Sequence, residues 1–244
     1  MEKSYSERFA LRTSHCDLHG DWRPGAILEA MQETAAAHCA RLGIGRDVTD
    51  GLGIAWVLSR TRVELTRVPR LGEIISVETW PLPTKHLFFP RVNAIRDAEG
   101  TQIGAANSLW VLLDLNTRRI VGSDVVLAHL PDNRDMPTGP ALGAVRLPEG
   151  EAESRLMTPP YADFDVNGHV NNTRYLDWAC SALGHGTMAT RRVAAFTVSY
   201  EGEILPGTDV RTELVRNGDQ FAFCGFAGDR RCFAVGGTLA PRNE

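Results

Sequence analysis

The chain is poor in the features that mark several large classes of protein. Its 244 residues contain five cysteines, an odd number with no C-x-x-C pair, which opposes a disulfide framework and reads as reduced thiols. Cys224 and Cys232 flank "GFAGDRR", yet a structural bridge there is not expected. No stretch reaches the roughly 18 consecutive apolar residues of a membrane helix, and "MEKSYSERFALRTSHCD" lacks the apolar run of a signal peptide. The expectation is a soluble, cytoplasmic chain without membrane insertion. Positive charge is also lacking: the formal net charge is -4, which offers no general attraction for a phosphate backbone. Nucleic acid is not an expected partner. There is no G-x-S-x-G elbow for an activated serine and no ligand spacing for a metal. "HCDLH", residues 15–19, comes nearest to the latter, but strand alternation sends His15 and Cys16 to opposite faces and no second ligand cluster follows. No cofactor or metal is expected.

Enough apolar residues remain, 43 %, to bury a sizeable core in one large domain or two modest ones. The only linker-like segment is 131–150, where four prolines and three glycines oppose regular structure. It separates residues 1–130 from 151–244. Both parts share a pattern. "FALRTSHCDLHGDWRPGAILEAMQETAA" reads as a strand, a D-x-x-G turn and a helix with Ile27, Leu28, Met31, Ala35, His38 and Leu42 on one face. "LMTPPYADFDVNGHVNNTRYLDWACSAL" repeats that order, with Tyr175, Leu176, Ala179, Ala182 and Leu183 on the helical face and Asn171 or Asn172 as its cap. A shift of 148 places Asp17 on Asp165, Gly20 on Gly168 and Leu28 on Leu176. Each helix precedes strand-like runs: "AWVLSRTRVEL", "EIISVETWP", "HLFFPRVNAIRD" and "SLWVLLDL", then "VAAFTVSYEG", "DVRTELVR", "QFAFCGF" and "RCFAVGGTLA". The expected class is α+β, one module used twice, each an antiparallel sheet wrapped around a central helix.

Comparing the repeats separates turn from chemistry. Under the same shift Asn167 falls on His19 and His169 on Asp21, so the first half keeps the turn without the N-x-H pair. Asn167 and His169 are therefore candidates for function. An imidazole titrating near neutral pH can act as a base or orient one. An asparagine amide can donate to a carbonyl or hold a water. Asp165 and a second carboxylate can position the imidazole, and the helix N-terminus offers donors to a developing oxyanion. Without an activated serine the simplest nucleophile is water, and a thioester suits such a site because its thiol, with a pKa of about 8.5, departs with little acid assistance.

"DFDVNGHVNNTRYLDW", residues 163–178, resembles the D-x-D-V-N-x-H-V-N-N-x-x-Y segment of acyl-acyl carrier protein (acyl-ACP) thioesterases. "GIAWVLSRTRVEL", "VETWP" and "NSLWVLLDLNTRRIV" are similar to further stretches of that family in order and separation. The resemblance implies a double hotdog fold and hydrolysis of fatty acyl-ACP to fatty acid and holo-ACP. It places the family's catalytic aspartate, asparagine and histidine on Asp165, Asn167 and His169, and its further glutamate on Glu203. The family's cysteine falls on Ile204, which cannot be a nucleophile. For Glu203 to face the site, the strand carrying Phe196, Val198 and Tyr200 must bulge or bend at Gly202. The resemblance further implies an acyl pocket in the first half, with Trp56 either lining it or serving equally as plain core, and an acidic carrier met by arginines, with Arg191 and Arg192 as candidates. Competing readings are an acyl-CoA or aryl-CoA thioesterase of the same fold and a non-catalytic module that binds acyl chains or ACP. Two repeats in one chain leave a monomer or a homodimer open.

Overall fold

A computed structural model describes residues 1–242 and divides the chain into two compact units. The first comprises Met1–Trp22 and Ile27–Leu142; the second comprises Arg23–Ala26 with the chain from Gly143 onward.

The first unit contains β1 (Tyr5–Ala10), β2 (Ile54–Leu65), β3 (Ile74–Pro81), β4 (Phe89–Arg96), β5 (Gln102–Asp114) and β6 (Ile120–Val121). These form an antiparallel sheet in the order β1-β3-β4-β5-β2, with β6 on β5. Helix α1 (Pro24–Arg41) starts with proline in its first turn, where the missing N–H is harmless. It ends before Gly43, whose φ of +72° suits a residue without a Cβ. Every residue expected on its inner face, Ile27, Leu28, Met31, Ala35, His38 and Leu42, is buried. Two short helices, α2 (Arg46–Gly51) and α3 (Asp124–Ala128), complete the unit. β4 begins later than its apolar run suggests. Lys85 and Phe88 exchange backbone hydrogen bonds across a tight turn, with His86 at φ +56°, so the strand starts at Phe89.

The proline-rich segment is irregular, but its first part is tied to the first unit. Trp80 Nε1 donates to the Pro137 carbonyl (2.9 Å), Asn107 Nδ2 to the Pro140 carbonyl (3.1 Å) and Asn133 Nδ2 to the Pro81 carbonyl (2.8 Å). In irregular backbone these carbonyls have no ladder partner, and side-chain N–H groups satisfy them. The division between the units falls at Leu142 and Gly143.

In the second unit β7 (Glu153–Met157), β8 (Arg191–Tyr200), β9 (Val210–Asn217), β10 (Gln220–Ala227) and β11 (Arg230–Pro241) form an antiparallel sheet in the order β8-β11-β10-β9-β7. Helix α4 (Arg174–Thr190) packs on it through Tyr175, whose ring stacks on Phe233 with centroids 4.0 Å apart and planes 8° from parallel. Tyr175, Leu176, Trp178, Ala179 and Leu183 are buried, whereas Ala182 is half-buried. The helix breaks at Gly184 (φ +80°), in "LGHGT". Its cap differs from the expectation. Thr173 is the N-cap, and Asn171 Oδ1 accepts from both the Thr173 N–H (3.0 Å) and the Thr173 hydroxyl (2.8 Å). Cys224 is paired in register with Ala234 rather than with Cys232, and all five cysteines are free thiols.

Candidate active site

The two D-x-x-G turns fold alike. In the second unit a 3-10 turn over Tyr161–Asp163 leads into a bridge between Phe164 and Val170. Asp165 Oδ1 accepts from the Asn167 N–H (2.8 Å), the Gly168 N–H donates to the Asp165 carbonyl (3.0 Å), and Gly168 sits at φ +80°. In the first unit a 3-10 turn over Thr13–His15 leads into a bridge between Cys16 and Trp22. Asp17 Oδ1 accepts from the His19 N–H (2.8 Å), the Gly20 N–H donates to the Asp17 carbonyl (3.0 Å), and Gly20 also sits at φ +80°. Aspartate and glycine therefore set the backbone locally in both. The side chains displayed on it differ.

In the second turn His169 occupies the position of Asp21. Its Nδ1 lies 3.3 Å from the Val170 carbonyl and 3.8 Å from Asp165 Oδ1, with the imidazole partly exposed. A proton on Nδ1 is favoured by both neighbours, which leaves Nε2 as an acceptor. Asn167 is exposed, and its amide side chain takes no part in the turn's hydrogen bonds.

One backbone bond anchors this loop to the segment that carries Glu203. The Val170 N–H donates to the Ile204 carbonyl (2.9 Å), and Ile204 is fully buried, so an aliphatic side chain fills the place of the family's cysteine. β8 ends at Tyr200, after which the Glu201 and Gly202 N–H groups both donate to the Cys232 carbonyl (2.8 and 2.9 Å). Two residues opposite one is the pattern of a bulge, and it interrupts the strand alternation before Glu203. Glu201 is committed to Arg231 through two contacts of 2.9 Å. Glu203 is exposed, and its carbonyl accepts from Arg230 (3.1 Å). Burial raises the Tyr175 hydroxyl above its ordinary value, reinforced by the nearby Cys232, Asp165 and Glu203. That phenol stays neutral.

Three expectations change. The start of α4 is not a bank of empty donors: the Thr173, Arg174 and Leu176 N–H groups bond to the Asn171 side chain, the Asn171 carbonyl and the Thr173 carbonyl. Among the polar groups displayed by the loop, the Asn167 amide is the better candidate for an oxyanion donor. Arg191 and Arg192 begin β8, so about 30 Å of strand separates Arg191 from Tyr200. Arg191 faces Asp219 (3.5 Å). Trp56 serves the core: Nε1 donates to the Ile44 carbonyl (3.3 Å) and the ring meets Phe89 edge-on at 5.0 Å. Two supports escaped sequence reasoning. Trp178 Nε1 donates to Asp163 Oδ2 (2.8 Å), and Asp177 pairs with Arg23 (2.6 Å) and Arg174 (3.3 Å). The first aspartate of "DFD" and the tryptophan of "LDW" were the only signal.

The chain is similar to known proteins in sequence and in fold. Residues 2–126 match the family model of the acyl-ACP thioesterase N-terminal domain, and residues 148–224 match that of the C-terminal domain. A palmitoyl-acyl carrier protein thioesterase, chloroplastic, of Arabidopsis thaliana is 25 % identical over 93 % of this chain, which spans 59 % of that relative's length. A crystal structure of an acyl-ACP thioesterase from Bacteroides thetaiotaomicron superimposes with a TM-score of 0.87 at 25 % identity, covering 98 % of both chains. The 12:0-ACP thioesterase from Umbellularia californica has a TM-score of 0.85 at 23 % identity, covering 99 % of both. The fold is thereby established as the hotdog type.

Proposed function

The chain belongs to the acyl-ACP thioesterase family, and from that premise we propose that it hydrolyses the thioester of fatty acyl-ACP to free fatty acid and holo-ACP in the cytoplasm. The observation that carries this reading is the second D-x-x-G turn, which presents Asn167 and His169 on the frame that the first turn uses without them. Five free thiols accord with a reducing compartment.

In this reading His169 Nε2 takes a proton from water as the water oxygen attacks the thioester carbonyl. Asp165 and the Val170 carbonyl hold Nδ1–H and stabilise the imidazolium that forms. Asn167 donates to the carbonyl oxygen as negative charge develops on it. Glu203, on the segment anchored to the loop by the Val170–Ile204 bond, orients the water. The tetrahedral intermediate collapses with cleavage of the C–S bond, and the thiolate takes up a proton. No covalent acyl-enzyme forms, consistent with Ile204 at the cysteine position. The first unit receives the acyl chain.

The test is a panel of acyl-ACPs and acyl-CoAs from short to long chains, assayed for thiol release. Turnover of acyl-ACP well above matched acyl-CoA is expected. Equal or greater turnover of acyl-CoA would replace the carrier in this reading, and binding without turnover would reduce the protein to an acyl-ACP-binding module.

A further inference from the structure

The loop from Asp163 to Asn171 carries Asp165, Asn167 and His169, and its two ends meet: the Asn171 N–H donates to the Asp163 carbonyl (2.8 Å). Both ends are also tied to α4. Where the loop ends, Asn171 Oδ1 accepts from the Thr173 N–H and hydroxyl. Where it starts, Asp163 Oδ2 accepts from Trp178 Nε1 (2.8 Å), a partner 15 residues away. Trp178 is 8 % exposed and meets Tyr175 and Phe233 edge-on at 5.5 and 5.9 Å, so packing fixes the indole to which the loop is tied. Arg174 Nε lies 3.8 Å from the other carboxylate oxygen, Asp163 Oδ1.

The first turn builds the same backbone without this carboxylate–indole bond. The Asp17 N–H donates to the Asp21 carbonyl (2.8 Å) as the Asp165 N–H does to the His169 carbonyl (3.0 Å). The Trp22 N–H donates to the Pro69 carbonyl (2.9 Å) as the Val170 N–H does to the Ile204 carbonyl (2.9 Å). Under the shift of 148, however, Asp163 falls on His15, Arg174 on Ala26 and Trp178 on Ala30. His15 Nδ1 turns back to accept from the Arg12 N–H (3.2 Å), and an alanine side chain has no N–H to offer. The Asp163–Trp178 bond is therefore not required to form the turn. It accompanies the turn that displays Asn167 and His169. The backbone bonds give the loop its shape and hold its end, whereas this bond holds its start against the helix. Holding matters for reaction more than for folding, because a displacement of about 1 Å at the reacting groups costs roughly 100-fold in rate.

We propose that Asp163 and Trp178 are positioning residues for the hydrolysis: through their one bond they keep Asn167 and His169 aligned with the thioester, and neither touches the substrate. The inference rests on the thioesterase reading for its rates, and amide hydrogen exchange over residues 163–171 supplies a readout independent of turnover. Trp178→Phe keeps a ring for Tyr175 and Phe233 but deletes the indole N–H. It should lower kcat for acyl-ACP about 10- to 100-fold with KM within about twofold. Exchange of the loop amides should quicken about tenfold, with the strands of the sheet unchanged. Asp163→Ala should do the same and serves if Trp178→Phe does not fold. Asp163→Asn retains an oxygen for the indole and should bring kcat back to within about threefold of the parent. The double variant Asp163→Ala/Trp178→Phe should be no slower than the slower single variant, because both delete the same bond. Parental kcat in folded Trp178→Phe and Asp163→Ala overturns the inference and leaves the thioesterase reading intact. A loss in Asp163→Asn equal to that in Asp163→Ala also overturns it, since charge and not the bond would then be responsible. Quickened loop exchange in Trp178→Phe, in a parent that hydrolyses no acyl-ACP, overturns the thioesterase reading and leaves the hold on the loop intact.

Discussion

Replacing Asp165 by asparagine isolates its charge from its role in the turn. Asn retains a side-chain oxygen that can accept from the Asn167 N–H, the 2.8 Å bond that shapes the loop. What disappears is a negative charge 3.8 Å from His169 Nδ1. At that distance Coulomb's law gives about 1 kcal/mol in a water-like medium and about 4 kcal/mol at an effective dielectric of 20. The side chains of His169 and Asp165 are 29 % and 18 % exposed, so solvent screens the pair and the lower end applies. A loss of about 1 kcal/mol in stabilising the charge that develops on the ring lowers kcat/KM roughly fivefold. Thiol release from acyl-ACP measures it. The melting temperature should stay within about 2 °C of the parent, because the hydrogen bond survives. Asp17→Asn is the internal control: it makes the same change in the same turn, but the fifth residue there is Asp21 rather than a histidine. Its activity should be nearly unchanged. Wild-type turnover in Asp165→Asn, or an equal loss in Asp17→Asn, would refute the assignment of charge stabilisation to Asp165.

Removing the base itself has a larger effect: His169→Ala should lower kcat about 10²- to 10⁴-fold, with little change in melting because the ring's hydrogen bond is to the adjacent carbonyl. Glu203→Gln should lower kcat by about tenfold or more without loss of stability, the side chain being exposed. Phe233→Ala removes a fully buried ring stacked on Tyr175, and urea unfolding should show a loss of about 3–5 kcal/mol. Burial, with Arg91 second, lowers the His38 pKa, so the unfolded chain takes up a proton there that the folded chain refuses. Stability is therefore fully present above about pH 6.5 and falls as pH drops from there towards the folded value. His38→Gln should flatten that part of the urea midpoint against pH.

What could be read from the sequence follows the range of the forces involved. The repeat was legible because Asp and Gly fix the turn within four residues, and the apolar face of α1 because its spacing needs only helical geometry. The exposure of Asn167 and the position of His169 came with that frame. The cap was missed by one or two residues: Asn171 supplies its oxygen from just outside the helix, and Thr173 occupies the boundary itself. The readings at Arg191, Arg192 and Trp56 depend on longer range. Neighbourhood in sequence placed the arginines near Glu203, but the intervening residues form an extended strand, and extension converts nine residues into distance. For Trp56, strand alternation leaves two apolar destinations, and the Ile44 carbonyl and Phe89 decide for the core. The same limit hid the cluster of buried polar groups around Arg91. Arg91 and Asn93 alternate onto one face of β4, while Ser108 and Trp110 do so on β5. Only the pairing of those strands, with Arg91 opposite Ser108 and Phe89 opposite Trp110, gathers donors from distant segments against α1. A local pattern can announce a turn and even its reactive residues, but a cluster of buried polar groups is a property of packing, and it exists only once the strands have met.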